Sequence, residues 1–169
     1  MDSDELNCLI NQNSVVFSRY TGQIYSYDTL PTKLVEKKFY ICNDKSSSSD
    51  FSVAGHWICL LYYPDYLIYV DSFGLPVAAQ FILPLLAKCD VDIIYMNYKL
   101  QNIQTTSCGL HCLTFCSLFS FGWDLSDILE NCYQILNPES LSDPYFFDHI
   151  AQMFVLYFYG ESRSIFYEF

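Results

Sequence analysis

Two runs of branched and aromatic residues, His56 to Tyr63 and Tyr66 to Ser72, stand on either side of Pro64-Asp65. Runs of that length and make-up, parted by a proline–aspartate pair, spell an antiparallel hairpin. A lone hairpin is marginal in water, so these strands belong to a larger, covered sheet. The turn also sets the register. With a two-residue turn at Pro64-Asp65, Tyr63 faces Tyr66, Ile58 faces Asp71 and His56 faces Phe73. Paired residues share a face of the sheet, and so do alternate residues along one strand. His56 and Asp71 then point to the same side as diagonal neighbours, with Cα atoms roughly 7–8 Å apart. A carboxylate at that distance reaches an imidazole nitrogen. A turn of odd length would send the two side chains to opposite faces.

The remaining elements surround this hairpin. Phe39 to Cys42 reads as a short strand and Ile93 to Leu100 as a third strong one. Pro76 to Cys89 is helical in pattern, with Pro84 expected to kink or split it. Cys108 to Phe121 is apolar almost throughout, which predicts a helix buried all round. Asp124 to Leu136 and Ser140 to Tyr159 read as two further helices, the first capped by Asp124 or Ser126. Residues 1–38 look irregular apart from a short helix at Asp4 to Gln12. Ser46 to Ser49, inside Asn43 to Ser52, reads as a mobile surface loop rather than a domain linker, and no internal repeat occurs. The class is α+β: a small mixed sheet with helices packed on it, as one domain over residues 1–169. Hydrophobic residues make up 52% of the chain and aromatics 18%, enough for a substantial core.

Charge and cysteine usage narrow the partners. Eight basic residues stand against 19 acidic ones, for a net charge of −11. Nucleic acid binding draws its affinity from neutralised phosphates. Lys33, Lys37, Lys38 and Lys45 form only a short basic run, so DNA is disfavoured as a partner. A neutral or basic peptide suits the charge better, and the acidity also keeps an aromatic-rich chain in solution. Met1 to Leu6 shows no basic start followed by an apolar run, and no stretch of about 18 uninterrupted apolar residues exists. The expectation is a chain that is neither secreted nor membrane-spanning, with its eight cysteines as reduced thiols. Cys108, Cys112 and Cys116 follow at helical spacing, but no second cysteine pair accompanies them. They read as one apolar stripe of a buried helix rather than as metal ligands.

Cys108 has a distinct setting. It follows the turn-prone Thr105-Thr106-Ser107 at the start of the apolar helix. An ordinary thiol, with pKa near 8.5, is a poor nucleophile at neutral pH. Two devices correct this: a histidine that takes the proton, and the first turn of a helix, whose unpaired N–H groups favour an anion. Cys112 and Cys116 lie one and two turns further in, where that field has faded. Gly109 lets a substrate approach the backbone closely. An amide donor for a developing oxyanion is available from Gln101, at the end of the third strand, or from Gln104, nearer in sequence. Spacing alone leaves both open. His111 lies three residues beyond Cys108 with no acid placed to orient it, and reads as structural. His149, next to Asp148, is expected on a helix surface. A thiol, an imidazole and a carboxylate, each at the end of an element, are the parts of a cysteine hydrolase.

His56-Trp57, Asp71-Ser72-Phe73-Gly74, Gln101 and Cys108-Gly109, in that order, resemble the adenovirus-type endopeptidases and the wider clan that includes the SUMO-specific proteases. In papain-like enzymes the cysteine comes first instead. Leu100-Gln101 seven residues before Cys108-Gly109, with Cys112 following, is most similar to the adenain-like proteases of adenoviruses and polinton-type transposons. Tyr27-Asp28-Thr29-Leu30-Pro31 resembles their N-terminal segment, and the likeness spans about residues 27 to 120. The resemblance implies an adenain-like fold with the nucleophile at the N-terminus of a buried helix. It implies His56 as general base, Asp71 as its orienting acid, Cys108 as nucleophile, and Gln101, preferred over Gln104, in the oxyanion hole. Trp57 would flank the substrate cleft. It further implies cleavage after small, Gly-containing motifs in capsid or core precursor proteins, or removal of ubiquitin-like modifiers. A non-enzymatic scaffold or binding role is the third possibility. Adenovirus members are activated by DNA and by a disulfide-linked peptide. The charge argues against the DNA, no cofactor is required by the sequence, and Cys89 lies near the position of the peptide-linked cysteine. A monomer in the host nucleus or cytoplasm, or packaged in a virion, fits these expectations.

Overall fold

Five strands lie side by side in chain order: β1 (Tyr25–Ser26), β2 (Phe39–Asn43), β3 (Trp57–Tyr62), β4 (Tyr66–Asp71) and β5 (Asp92–Met96). β2, β3 and β4 run antiparallel, while β1 joins β2 and β5 joins β4 in parallel, so the sheet is mixed. Helices α1 (Ser3–Gln12), α2 (Leu83–Leu86), α3 (Cys108–Ser120) and α4 (Phe146–Tyr159) accompany it. The architecture is α+β. This computed structural model describes residues 1–49, 55–75, 82–96, 98–128, 130 and 145–159.

The central strands carry apolar residues on both faces, as strands covered on both sides must. Phe39, Ile41, Cys59, Leu61, Ile68 and Val70 enter one core with residues of α1 and α3. Tyr40, Cys42, Ile58, Leu60, Leu67 and Tyr69 enter a second, with Leu34, Ile82 and Leu86. The alternation is the period of two that a pleated strand imposes. α3 packs against β3 on one side and α4 on the other. That double contact explains a helix apolar around its whole circumference.

The hairpin takes the register that its turn predicts, with Ile58 opposite Asp71 and Tyr62 opposite Leu67. α1 begins with a reciprocal cap: the Asp2 carboxylate accepts from the Asp4 and Glu5 N–H groups, and the Glu5 carboxylate accepts from the Asp2 N–H. Asp124, not Ser126, caps the residues 125–128, in the same reciprocal way with Asp127.

Three expectations are corrected. The helix sought at Pro76 to Cys89 is a single turn at Leu83–Leu86, residues 76–81 lying outside the described residues. Pro84 starts this turn rather than kinking it, because its missing N–H falls where no intrahelical partner exists. β5 stops at Met96 instead of Leu100. Leu100 and Gln101 leave the ladder, and both of their N–H groups donate to the Ser72 carbonyl at 2.8 Å. Gly74 permits this closeness. It has φ +64°, and a methyl group there would lie 2.8 Å from the backbone of Tyr98 and Lys99. α4 begins at Phe146, with residues 140–144 and most of 129–136 outside the described residues. Among the described residues no helix is long and apolar enough to cross a membrane.

Candidate active site

His56 stands just before β3 and Asp71 closes β4, so both lie at one end of the hairpin. Their backbones are pinned there. The His56 N–H donates to the Asp44 carboxylate at 2.8 Å, and the Asp44 N–H returns a bond to the His56 carbonyl at 3.0 Å. The His56 Nε2 meets Asp71 Oδ1 at 2.8 Å, and the same oxygen accepts from the Phe73 N–H at 2.8 Å. The Phe73 ring stacks on the imidazole with centroids 4.7 Å apart. Carboxylate, backbone and aromatic ring together fix the orientation of the imidazole.

Cys108 is the first residue of α3, and it lines the same cleft as His56. With Nε2 committed to Asp71, Nδ1 is the ring nitrogen left for the thiol. Burial by itself disfavours a charged imidazole here. The hydrogen bonds and charges of Asp71 and Cys108 outweigh it and raise the His56 pKa to about 9.

Gln101 is buried beside this group. Its Oε1 accepts from the Ser72 hydroxyl at 2.6 Å, and its Nε2 donates to the Thr105 carbonyl at 2.8 Å. The carbonyl can only accept, so it fixes which end of the amide is nitrogen. One Nε2 proton remains beyond that bond. Gln104 is exposed, and its Oε1 accepts from the Tyr145 hydroxyl at 2.8 Å. His56, Phe73, Gln101 and Cys108 line a cavity of about 600 Å³, together with Trp57 and Met1. Gln104 lies outside it.

Trp57 is buried and donates its indole N–H to the Met1 carbonyl at 3.0 Å. Gly109 serves a different contact from the expected one. A methyl group there would lie 2.9 Å from the Met1 sulfur, so the space the glycine leaves is filled by Met1 and not by the cleft. Cys59, Cys112 and Cys116 are buried in the same core, and burial pushes all three pKa values up. Among the described residues no group of His, Cys, Asp or Glu side chains could hold a metal ion. The half-buried Cys89 donates to the Leu85 carbonyl at 3.7 Å, and burial raises its pKa as well. A raised pKa lowers the thiolate fraction on which disulfide exchange depends.

His111 does have an acid, which corrects the expectation that none was placed for it. Its Nε2 lies 3.1 Å from Oδ1 of Asp148, a residue in the first turn of α4. Both side chains are buried. Asp148 is the residue that sequence reasoning missed, mentioned only as the neighbour of His149. A lone carboxylate inside the apolar run Phe146 to Tyr159 was the available signal. His149 is exposed, with its ring against Tyr145.

A scan against protein-family models finds no match to this chain, and a search of curated proteins finds none either.

Proposed function

We propose that this chain is a cysteine endopeptidase of the adenain-like type, with Cys108 as nucleophile, His56 as proton carrier, Asp71 as its orienting acid and Gln101 as oxyanion donor. The observation that carries the reading is the placement of His56, held by Asp71 at 2.8 Å, on the same cleft as Cys108 and Gln101. A histidine oriented by a carboxylate beside a thiol is the arrangement that generates a thiolate nucleophile, the ring taking the thiol's proton. The order of the four residues along the chain supports the adenain-like type, and with it substrates that are virion precursor proteins cut after Gly-containing motifs.

In this reading the Cys108 sulfur attacks the scissile carbonyl carbon. The carbonyl oxygen takes up negative charge and accepts from the free Nε2 proton of Gln101 and from the Cys108 backbone N–H. The carbon–nitrogen bond breaks as His56 gives its proton to the leaving amine. The remaining thioester is opened by a water whose proton passes to His56, releasing a carboxylic acid and the Cys108 thiolate, to which His56 returns the proton. Asp71 keeps the ring aligned through both transfers.

The test is residue-specific labelling. A peptide aldehyde or vinyl sulfone ending in Gly-Gly should modify Cys108 and none of the core thiols, as read by mass spectrometry. The Cys108→Ala protein should cleave no Gly-Gly precursor peptide. Cleavage that persists in Cys108→Ala, or a Cys108 that no electrophile reaches, rules the reading out.

A further inference from the structure

His56, Asp71, Gln101 and Cys108 leave a second buried polar cluster without a task. Asp148, 3% exposed, gathers donors from one stretch of chain. Its Oδ2 accepts from the Asn102 N–H at 2.9 Å. Its Oδ1 accepts from His111 Nε2 at 3.1 Å and from the Ser107 hydroxyl. The Thr105 hydroxyl lies 3.2 Å from the same oxygen and shares its one proton with the Asn102 carbonyl at 2.9 Å. The hydrogen bonds from His111, Ser107 and Asn102 keep this carboxylate ionised despite burial.

The positions of these donors matter. Asn102 directly follows Gln101, and Ser107 directly precedes Cys108. Thr105 carries the carbonyl that accepts from the Gln101 amide. His111 lies one turn into α3. One carboxylate on α4 therefore holds both ends of the loop 101–107. Ser107 occupies the N-cap position of α3, where a serine usually accepts from the first N–H groups of the helix. It makes no such cap, and its hydroxyl turns to Asp148 instead.

We infer that Asp148 is the positioning residue for the oxyanion side of the site, with His111 and Ser107 as its donors. This rests on the reading of Cys108 as an acyl-transfer nucleophile. The two halves of the site share the Asp148 anchor at the start of α3 but differ in their other supports. The thiol and its imidazole are set by α3 against β3 and by the hairpin. The Gln101 amide is set by Ser72 and by the Thr105 carbonyl, inside the loop that Asp148 holds. Loosening the loop displaces the amide, and a displacement near 1 Å is enough to weaken a directed transition-state bond by about 100-fold.

Two reagents separate the halves. Iodoacetamide forms a bond from sulfur to a saturated carbon as the carbon–iodine bond breaks and iodide leaves, and no oxyanion develops. p-Nitrophenyl acetate forms a thioester through a tetrahedral oxyanion, and p-nitrophenolate leaves. Both rates are followed at Cys108 by mass spectrometry on the full chain. In Asp148→Asn, acylation should fall about 10- to 100-fold while alkylation stays within about two-fold of wild type. Ser107→Ala, a milder change, should shift acylation the same way by about 3- to 10-fold, again with alkylation retained. His149→Ala, next to Asp148 but exposed, should change neither rate. Should Asp148→Asn fail to give a cooperative melt, Ser107→Ala decides. Equal loss of both rates, or loss of neither, overturns the inference and marks the cluster as structural only. A wild-type Cys108 that takes neither reagent instead brings down the nucleophile itself.

Discussion

His56 meets Asp71 at 2.8 Å and His111 meets Asp148 at 3.1 Å, so by distance the two pairs are near equals. Their surroundings differ. The His56 side chain is 17% exposed and lines the same cleft as the Cys108 thiol. The His111 side chain is 4% exposed, and its carboxylate is already engaged by a backbone N–H and a hydroxyl. A histidine–carboxylate pair becomes chemical equipment only when the ring keeps one nitrogen for a reacting group and the site reaches solvent. Sealed away from the cleft, the same pair acts as a fastener. Conversion of one role into the other can be tested at each pair.

The largest contrast should appear at the rings themselves. His56→Ala removes the proton carrier, and the rate of Cys108 alkylation at neutral pH should drop by about 10²–10⁴, the usual worth of a positioned acid–base group. His111→Asn, which keeps an N–H donor in the cluster, should leave that rate within about two-fold while lowering the melting temperature. Equal losses of reactivity in the two variants would erase the distinction.

The amides carry the next largest difference. Gln101→Ala should lower acyl transfer by about 10²–10³, as loss of one oxyanion donor does elsewhere. Gln104→Ala, on an exposed side chain that bonds Tyr145, should change it less than about two-fold. Steady-state hydrolysis of a Gly-Gly coumarin peptide reads both. A larger loss at Gln104 would move the oxyanion site away from the cleft wall.

Stability should rank the pairs in reverse. Asp148→Ala leaves the buried His111 ring and the half-buried Asn102 N–H without their acceptor, and should cost about 3 kcal/mol. Asp71→Ala frees a partly exposed imidazole and one N–H group, and should cost about 1 kcal/mol. Urea melts of the two variants measure the order directly.

The two pairs were unequally legible in the sequence, for a physical reason. The register that brings His56 to Asp71 follows from a two-residue turn between apolar runs, a local property of Pro64-Asp65. The start of α3 was legible too, because the chain changes from polar to apolar at Cys108. His111 and Asp148 are 37 residues apart, and their meeting depends on how α4 packs on α3. No local pattern encodes that. The end of β5 was misread because the alternation of apolar and polar residues from Met96 to Leu100 continues after the ladder has stopped. The Ser72 carbonyl, from another segment, draws Leu100 and Gln101 away. Likewise the space at Gly109 is claimed by Met1 from the opposite end of the chain. Local chemistry placed the hairpin and the helix start, whereas packing between distant segments decided the rest.

The smallest effect is also the most specific, because the pairs should respond to opposite ends of the pH scale. The His56 pKa is raised from 6.5 to about 9, so its contribution to stability is complete below 6.5 and is lost as pH rises through about 9. The Asp148 pKa is lowered from 3.8, so its contribution is present above 3.8 and is lost as pH falls below that value. In Asp71→Asn the His56 ring loses the carboxylate that opposes burial, and its midpoint should drop from about 9 toward 6.5 or lower by NMR titration. The same substitution should flatten the decline in melting temperature between pH 6.5 and about 9 and leave the acid side unchanged. Asp148→Asn should do the converse. An alkaline decline that survives Asp71→Asn would mean that the imidazolium is not held by this carboxylate. The cleft pair would then be no better oriented for proton transfer than the buried one.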